Sequence, residues 1–244
     1  MNMLRDKTRK NEERLISMFS ERRPFSMHLV KWENELLPDK YDQNFFEYCG
    51  QPSKEEFENA IQYQKEKGTD FIKLEGDYPL LDCFGLEKSV TVTMLLKSSG
   101  MNWTTNPELA FCTPPLEELE ELEVKHFGSL YGEDFTRRNI RHQYEKLTYH
   151  GAYLDGTLVG ACYSYSSDGF TCIDGLIVDE SYRKRRIATS VIEHVKRSFP
   201  DTLLFLHADE DDTPKEMYEK LGFETIDKLY EYLCTDISVL CPDK

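Results

Sequence analysis

The chain has 244 residues, 30 Lys+Arg against 45 Asp+Glu for a formal charge of -15, and 39% hydrophobic residues. That length suits one large domain or two small ones, each with enough chain to bury a core. No stretch approaches the roughly 18 apolar residues of a membrane helix, and the opening MNMLRDKTRKNEERL lacks a signal-type apolar core, so a cytoplasmic protein without a membrane segment is expected. Residues 1–100 carry 15 basic and 18 acidic side chains, residues 101–244 15 and 27. This acidity opposes a broad nucleic-acid footprint and weakly favours cationic partners. The seven cysteines include no CxxC, and the closest pair is Cys234 with Cys241, so neither a disulfide framework nor a metal site is expected.

Residues 4–20 form a charged helix in this reading, and 27–37 are partly strand-like. The next helix is better marked: Ser53 and Glu56 form a capping box, Phe57, Ala60, Ile61 and Gln64 share a face, and Gly68 follows its end. A strand at 70–74, a short helix over PLLDCFG (79–85) and a strand at 89–97 follow. The polar stretch SSGMNWTTNP then reads as a linker, dividing the chain into an α/β domain at 1–104 and a second domain at 105–244.

The second domain opens with a short strand in ELAFCTPP, a helix carrying Leu116, Leu119 and Leu122, and another helix at 135–148. Asp155-Gly156 between apolar runs predicts a hairpin over 153–165, and CIDGLIV at 172–178 the next strand. A helix burying Ile187, Ala188, Val191, Ile192 and Val195 leads to an apolar strand at 203–208. The last helix is read with Thr213 as N-cap, Pro214 in its first turn and Glu216 completing a capping box. It ends at Gly222, before a final strand at 224–235.

Chemistry concentrates where the strand ending at Val178 passes through SYRKRRIA into a helix. A helix N-terminus offers unpaired N–H groups and a favourable dipole for an anion, and Arg183, Lys184, Arg185 and Arg186 add charge there. A pyrophosphate or 3′-phosphate is the natural guest, although a basic run is also compatible with a solvated face or a nucleic-acid patch shared with Arg137, Arg138 and Arg141.

Together with KEMYEKLGF at 215–223, these elements resemble the GCN5-related N-acetyltransferase (GNAT) family. Residues 183–188 are similar to its R/Q-x-x-G-x-G/A motif, with Arg183 and Ala188 matching and Arg186 standing where the family usually has glycine. The resemblance covers roughly residues 106–244 and implies a mixed α/β sheet of GNAT-like acyl-CoA N-acyltransferase fold, preceded by the smaller α/β domain. It implies acetyl-CoA in the gap beyond Leu176, Ile177 and Val178, with the backbone of Lys184, Arg185, Arg186, Ile187 and Ala188 on the pyrophosphate. It also implies Tyr218 as general acid, because a phenol with a pKa near 10 is protonated at neutral pH and can donate to a leaving thiolate. Asp174 is the preferred base among Asp174, Asp179, Glu180, His207 and Asp209. Where many members carry asparagine this chain has ADEDD, which places Asp211 or Asp212 by the pantetheine arm.

The order helix, strand, short helix, strand in 54–97 repeats that of 185–235. Phe84-Gly85-Leu86-Glu87 parallels Leu221-Gly222-Phe223-Glu224, an offset that sets Leu81 against Tyr218. The first half then reads as a degenerate copy without acid or phosphate loop. The expected activity is transfer of an acetyl group from acetyl-CoA to a small-molecule or peptide amine. The alternatives are an inactive module that binds acyl-CoA or a protein partner, and a nucleic-acid binder, which the charge opposes.

Overall fold

A computed structural model describes residues 2–97, 103–211 and 213–240, without the side chains of Asn2 and Thr213. The first half of the expected linker, Asp212, Cys241 and the Thr213 capping contact lie outside what is described. In chain order the elements are α1 (Asn2–Ser17), β1 (Glu21–Pro24), β2 (Leu29–Glu33), β3 (Phe46–Tyr48), α2 (Lys54–Glu66), β4 (Ile72–Gly76), β5 (Glu87–Leu96) and β6 (Ala110–Cys112). They continue with α3 (Leu116–Tyr131), α4 (Glu133–Tyr144), β7 (Thr148–Leu154), β8 (Thr157–Ser167), β9 (Phe170–Val178), α5 (Ile187–Ser198), β10 (Leu203–Asp209), α6 (Thr213–Lys220) and β11 (Phe223–Cys234).

The sequence signals have local causes. Asp155 and Gly156 both take positive φ (51° and 79°), the geometry of a tight hairpin turn. Ser53 Oγ accepts from Glu56 N while Glu56 returns a carboxylate to Ser53 N, completing the capping box. The expected short helix at 79–85 is absent. Backbone N–H groups there go elsewhere, Leu80 N to Tyr232 Oη at 2.8 Å and Leu81 N to Gln51 Oε1 at 2.8 Å, and Phe84 and Gly85 close the segment with positive φ. Strands β1 and β3 carry too few apolar residues, or are too short, to show a period.

The chain divides into two compact units. The smaller holds 13–93, 208–215 and the chain from 227 on; the larger holds the chain up to 12, 94–207 and 216–226. Strands β5, β10 and β11 and helices α1 and α6 contribute residues to both. In the smaller unit the strand order is β1-β2-β3-β4-β11-β5. Its β1–β2 and β2–β3 ladders are antiparallel and β3–β4 is parallel, with α2 as the crossover. Leu29, Phe46, Ala60, Ile72 and Leu74 form its core. Lys73, only 3% exposed, is neutralised by Asp42 (2.9 Å), Glu75 (2.7 Å) and Glu231 (2.6 Å).

In the larger unit the order is β11-β5-β10-β9-β8-β7-β6. Its β7–β8 and β8–β9 ladders are antiparallel and β9–β10 is parallel, with α5 as the crossover. Leu95, Phe170, Cys172 and Phe205 cluster on one side with Leu4 of α1, and Asn11 ties that helix to Ser167 and Phe170. Ile187, Val191 and Val195 bury the inner face of α5. Glu120 in α3, 5% exposed, receives Arg141 (2.5 Å) and Arg137 (3.1 Å) from α4, and Arg138 pairs with Asp134. The three arginines that entered the nucleic-acid alternative are thus committed to carboxylates. No described helix is long and apolar enough to cross a membrane, and no described group of His, Cys, Asp and Glu is arranged to hold a metal ion.

Candidate active site

The site begins with a strand that leaves its neighbour. Strand β9 pairs with β10 from Phe170↔Leu203 to Ile173↔Leu206, and the ladder stops there. Residues 174–178 continue along β8 alone, so their other edge faces an opening. On the β8 side the register slips between Ala161↔Ile177 and Tyr163↔Asp174, leaving Cys162 opposite both Gly175 and Leu176. This is a β-bulge, a device that turns a strand and re-aims its side chains. Gly175 is required in it: its φ is +59°, and a Cβ would lie 2.8 Å from Cε1 of Tyr163. A glycine inside a strand pattern is the sequence cue for such a feature.

Tyr163 is the residue that sequence reasoning missed. Its hydroxyl donates to Asp174 Oδ2 at 2.6 Å, while Gly175 N donates to Oδ1 at 2.7 Å, so the Asp174 carboxylate is held from two sides. Burial, reinforced by Asp174, pushes the Tyr163 phenol far above its usual range. Tyr218 on α6 is 8% exposed and meets Phe223 edge to face at 6.0 Å. Burial, with Asp174 and Cys162 nearby, pushes its pKa up to about 12. Tyr218 therefore carries its proton throughout the neutral range.

Beyond Val178 the chain turns. Asp179 N donates to Val159 O, and its carboxylate binds Ser181 N (2.9 Å) and Lys125 of α3 (2.6 Å), which anchors the exit of β9. A single 3-10 turn at Glu180–Tyr182 leads to Arg183, which pairs with Glu180 at 3.1 Å. Lys184 and Arg186 then take left-handed backbone geometry, φ +65° and +62°, and α5 starts at Ile187. Arg186 therefore precedes α5 in left-handed rather than helical geometry. This is a position that favours glycine, and an L side chain occupies it at a cost of about 1–2 kcal/mol. Arg185 lies over the ring of Tyr182 at 5.3 Å.

Side chains at 183–186 are charged, and the N–H groups opening α5 have no intrahelical acceptor. This donor set fits a pyrophosphate. Ile177 (3%) and Ile187 (2%) are core residues, so only their backbone is available to a ligand. Gly160 permits this packing, since a Cβ there would stand 2.9 Å from Ile187 Cγ2. Leu176, Val178 and Ala188 remain partly exposed. Asp211 belongs to the smaller unit, where its N–H donates to Asp209 Oδ1. His207 lies 3.7 Å from Glu12.

Residues 116–223 match the model of the acetyltransferase (GNAT) family. No curated protein sequence matches the chain. Among solved structures it is similar to a functionally unknown conserved protein from Staphylococcus epidermidis ATCC 12228, at 18% identity and TM-score 0.73, over 89% of this chain and 95% of that one. A GCN5-related N-acetyltransferase from Kribbella flavida aligns at 14% identity and TM-score 0.66, over 92% and 93%. A tandem GNAT protein from the clavulanic acid biosynthesis pathway aligns at 16% and 0.56, over 88% and 79%. At such identities these likenesses establish the fold. The protein has the GNAT fold, and its residues 116–223 match the GNAT acetyltransferase family model.

Proposed function

We propose that the protein is an N-acetyltransferase that moves an acetyl group from acetyl-CoA to a primary amine by direct attack, with Tyr218 as general acid. The observation that carries this reading is a buried phenol, protonated at neutral pH, in the same unit as a splayed strand and a cationic helix start. Acetyl-CoA would supply the activated thioester. The N–H groups of 184–188, with the charges of Arg183, Lys184, Arg185 and Arg186, would hold its phosphates. The exposed edge at Leu176 and Val178 would receive the pantetheine arm as an added strand partner. Tyr218 would give its proton to the departing sulfur.

An amine with a pKa near 10 must shed a proton before attack, and Asp174 accepts it directly or through water. Tyr163 and Gly175 N fix the direction in which that carboxylate points. The acceptor is a small-molecule or peptide amine, and the acidic body favours a cationic one.

The smaller unit is proposed to be a degenerate copy of the same fold. Its ladders follow the same antiparallel, antiparallel, parallel sequence, with a crossover helix at the same step. The position offset to Tyr218, Leu81, is 96% exposed on an irregular segment.

Thiol release from acetyl-CoA over a panel of amines, with Tyr218→Phe alongside wild type, tests the reading. A loss of about 10²–10⁴-fold in kcat with unchanged CoA affinity is the expected result. Undiminished turnover in the variant rules Tyr218 out as the acid.

A further inference from the structure

The stretch that reads as a linker does not leave the larger unit unattached. Trp103 Nε1 donates to the carbonyl of Leu221 at 3.0 Å, at the C-terminal end of the helix that carries Tyr218. The Lys196 ammonium of α5 sits 5.3 Å from the centroid of the same indole. Three residues on, Asn106 reaches the cationic loop. Its N–H donates to Ser190 Oγ at 2.9 Å, and its Nδ2 donates to the carbonyl of Arg185 at 3.3 Å. Ser190 Oγ in turn donates to the carbonyl of Arg186 at 2.8 Å. Asn106 Oδ1 accepts from Glu108 N at 3.0 Å, which locks the side chain in the orientation these bonds need.

Arg186 is held in left-handed geometry and Ser190 is only 3% exposed. A strained backbone position persists when its surroundings over-determine it. The carbonyls of Arg185 and Arg186, gripped from behind, leave the N–H groups of the same peptides and those that follow directed away from the strap. This is the arrangement an anion requires.

We propose that Asn106 and Ser190 are positioning residues of the acyl-CoA loop, and that residues 103–106 form a strap fixing this loop and the Tyr218 helix in one geometry. The proposal rests on reading 183–188 as the loop that binds the phosphates. Neither residue touches the ligand; both act through the peptides of Arg185 and Arg186. Losing one partner of such a chain breaks its remaining hydrogen bonds and loosens the donors.

The test is calorimetric titration of CoA into wild type, Asn106→Ala, Ser190→Ala and Ser190→Thr, with Leu119→Ala on α3 as a control for core destabilisation. Asn106→Ala and Ser190→Ala are expected to bind CoA about tenfold more weakly. Ser190→Thr, which keeps the hydroxyl, should stay within about twofold of wild type, and Leu119→Ala should lower Tm without changing affinity. In turnover the two alanine variants should raise KM for acetyl-CoA about tenfold while kcat changes by less than about twofold. Wild-type affinity in both alanine variants overturns the strap, as does an equal loss in Leu119→Ala. Failure of wild type itself to bind CoA overturns the loop reading on which the strap depends.

Discussion

The two crossover helices, α2 and α5, differ at their first turns. Strand β3 enters α2 through residues 49–53, and the helix supplies its own anion. The Glu56 carboxylate accepts from Ser53 N (2.8 Å), His28 N (3.0 Å), His28 Nδ1 (2.9 Å) and Ser26 Oγ (2.6 Å), a set that holds its pKa well below the usual carboxylate range. Strand β9 enters α5 through residues 179–186, and the helix has a cationic approach with no acid in its first turn. The strand pairs before the helices differ too. The β2–β3 ladder is regular over Leu29↔Tyr48, Val30↔Glu47 and Lys31↔Phe46, whereas β8–β9 carries the Gly175 bulge. On the proposed reading the same crossover holds a foreign anion in one unit and satisfies itself in the other, and a carboxylate at the third helical position separates the two.

The sharpest way to break this comparison is at the bulge. Gly175→Ala introduces a Cβ into the Tyr163 ring at a positive φ, so it should displace Asp174 and lower turnover by about 100-fold, a few kcal/mol of barrier. Turnover within threefold of wild type would mean that the bulge geometry is irrelevant to catalysis.

Acid separates the units next. Burial, and to a lesser extent His194, lower the pKa of His150 to about 4, against about 6.5 in an unfolded chain. Between those values the unfolded chain binds the extra proton, so stability is complete above pH 6.5 and declines towards pH 4, by roughly 3 kcal/mol at most. Glu56 behaves differently: its contribution is present above the unfolded carboxylate pKa and is lost as pH falls below it. Melting followed from pH 7 to 4 should show a loss beginning near 6.5 that His150→Phe flattens. An unchanged slope in that variant would assign the loss elsewhere.

Glu56→Ala removes the capping box and the His28 contacts together and should cost about 2 kcal/mol of stability, measured by denaturant unfolding. It should leave CoA affinity and turnover untouched, because it belongs to the self-satisfied helix. The smallest effect is at the other helix start. Arg186→Gly relieves left-handed strain and should raise stability by about 1 kcal/mol, while lost charge offsets part of any gain in CoA affinity. A fall in Tm would show that the Arg186 side chain does more than fill the position.

Much of this was legible in the residues. The Ser53–Glu56 box, the Asp155-Gly156 turn and the apolar face of α5 are local signals, and local geometry follows them. The RKRRIA loop and Tyr218 were legible as a constellation through their family resemblance. The 79–85 segment was misread as helix because its decisive partners, Tyr232 and Gln51, lie far away in sequence. Tyr163 and Asn106 had no cue, since an interior tyrosine and a linker asparagine acquire their roles only when Asp174 and Arg185 fold against them. Gly175 did have one, a glycine within a run otherwise suited to a strand.

The most direct test of the central claim, that one helix start binds acyl-CoA and the other is closed by its own carboxylate, is the stoichiometry of CoA binding by calorimetry. One CoA per chain is predicted, with affinity lost on reversing charge at Arg183 and Arg185 and retained in Glu56→Ala. Two sites per chain, no binding at millimolar CoA, or loss of the site in Glu56→Ala would contradict it.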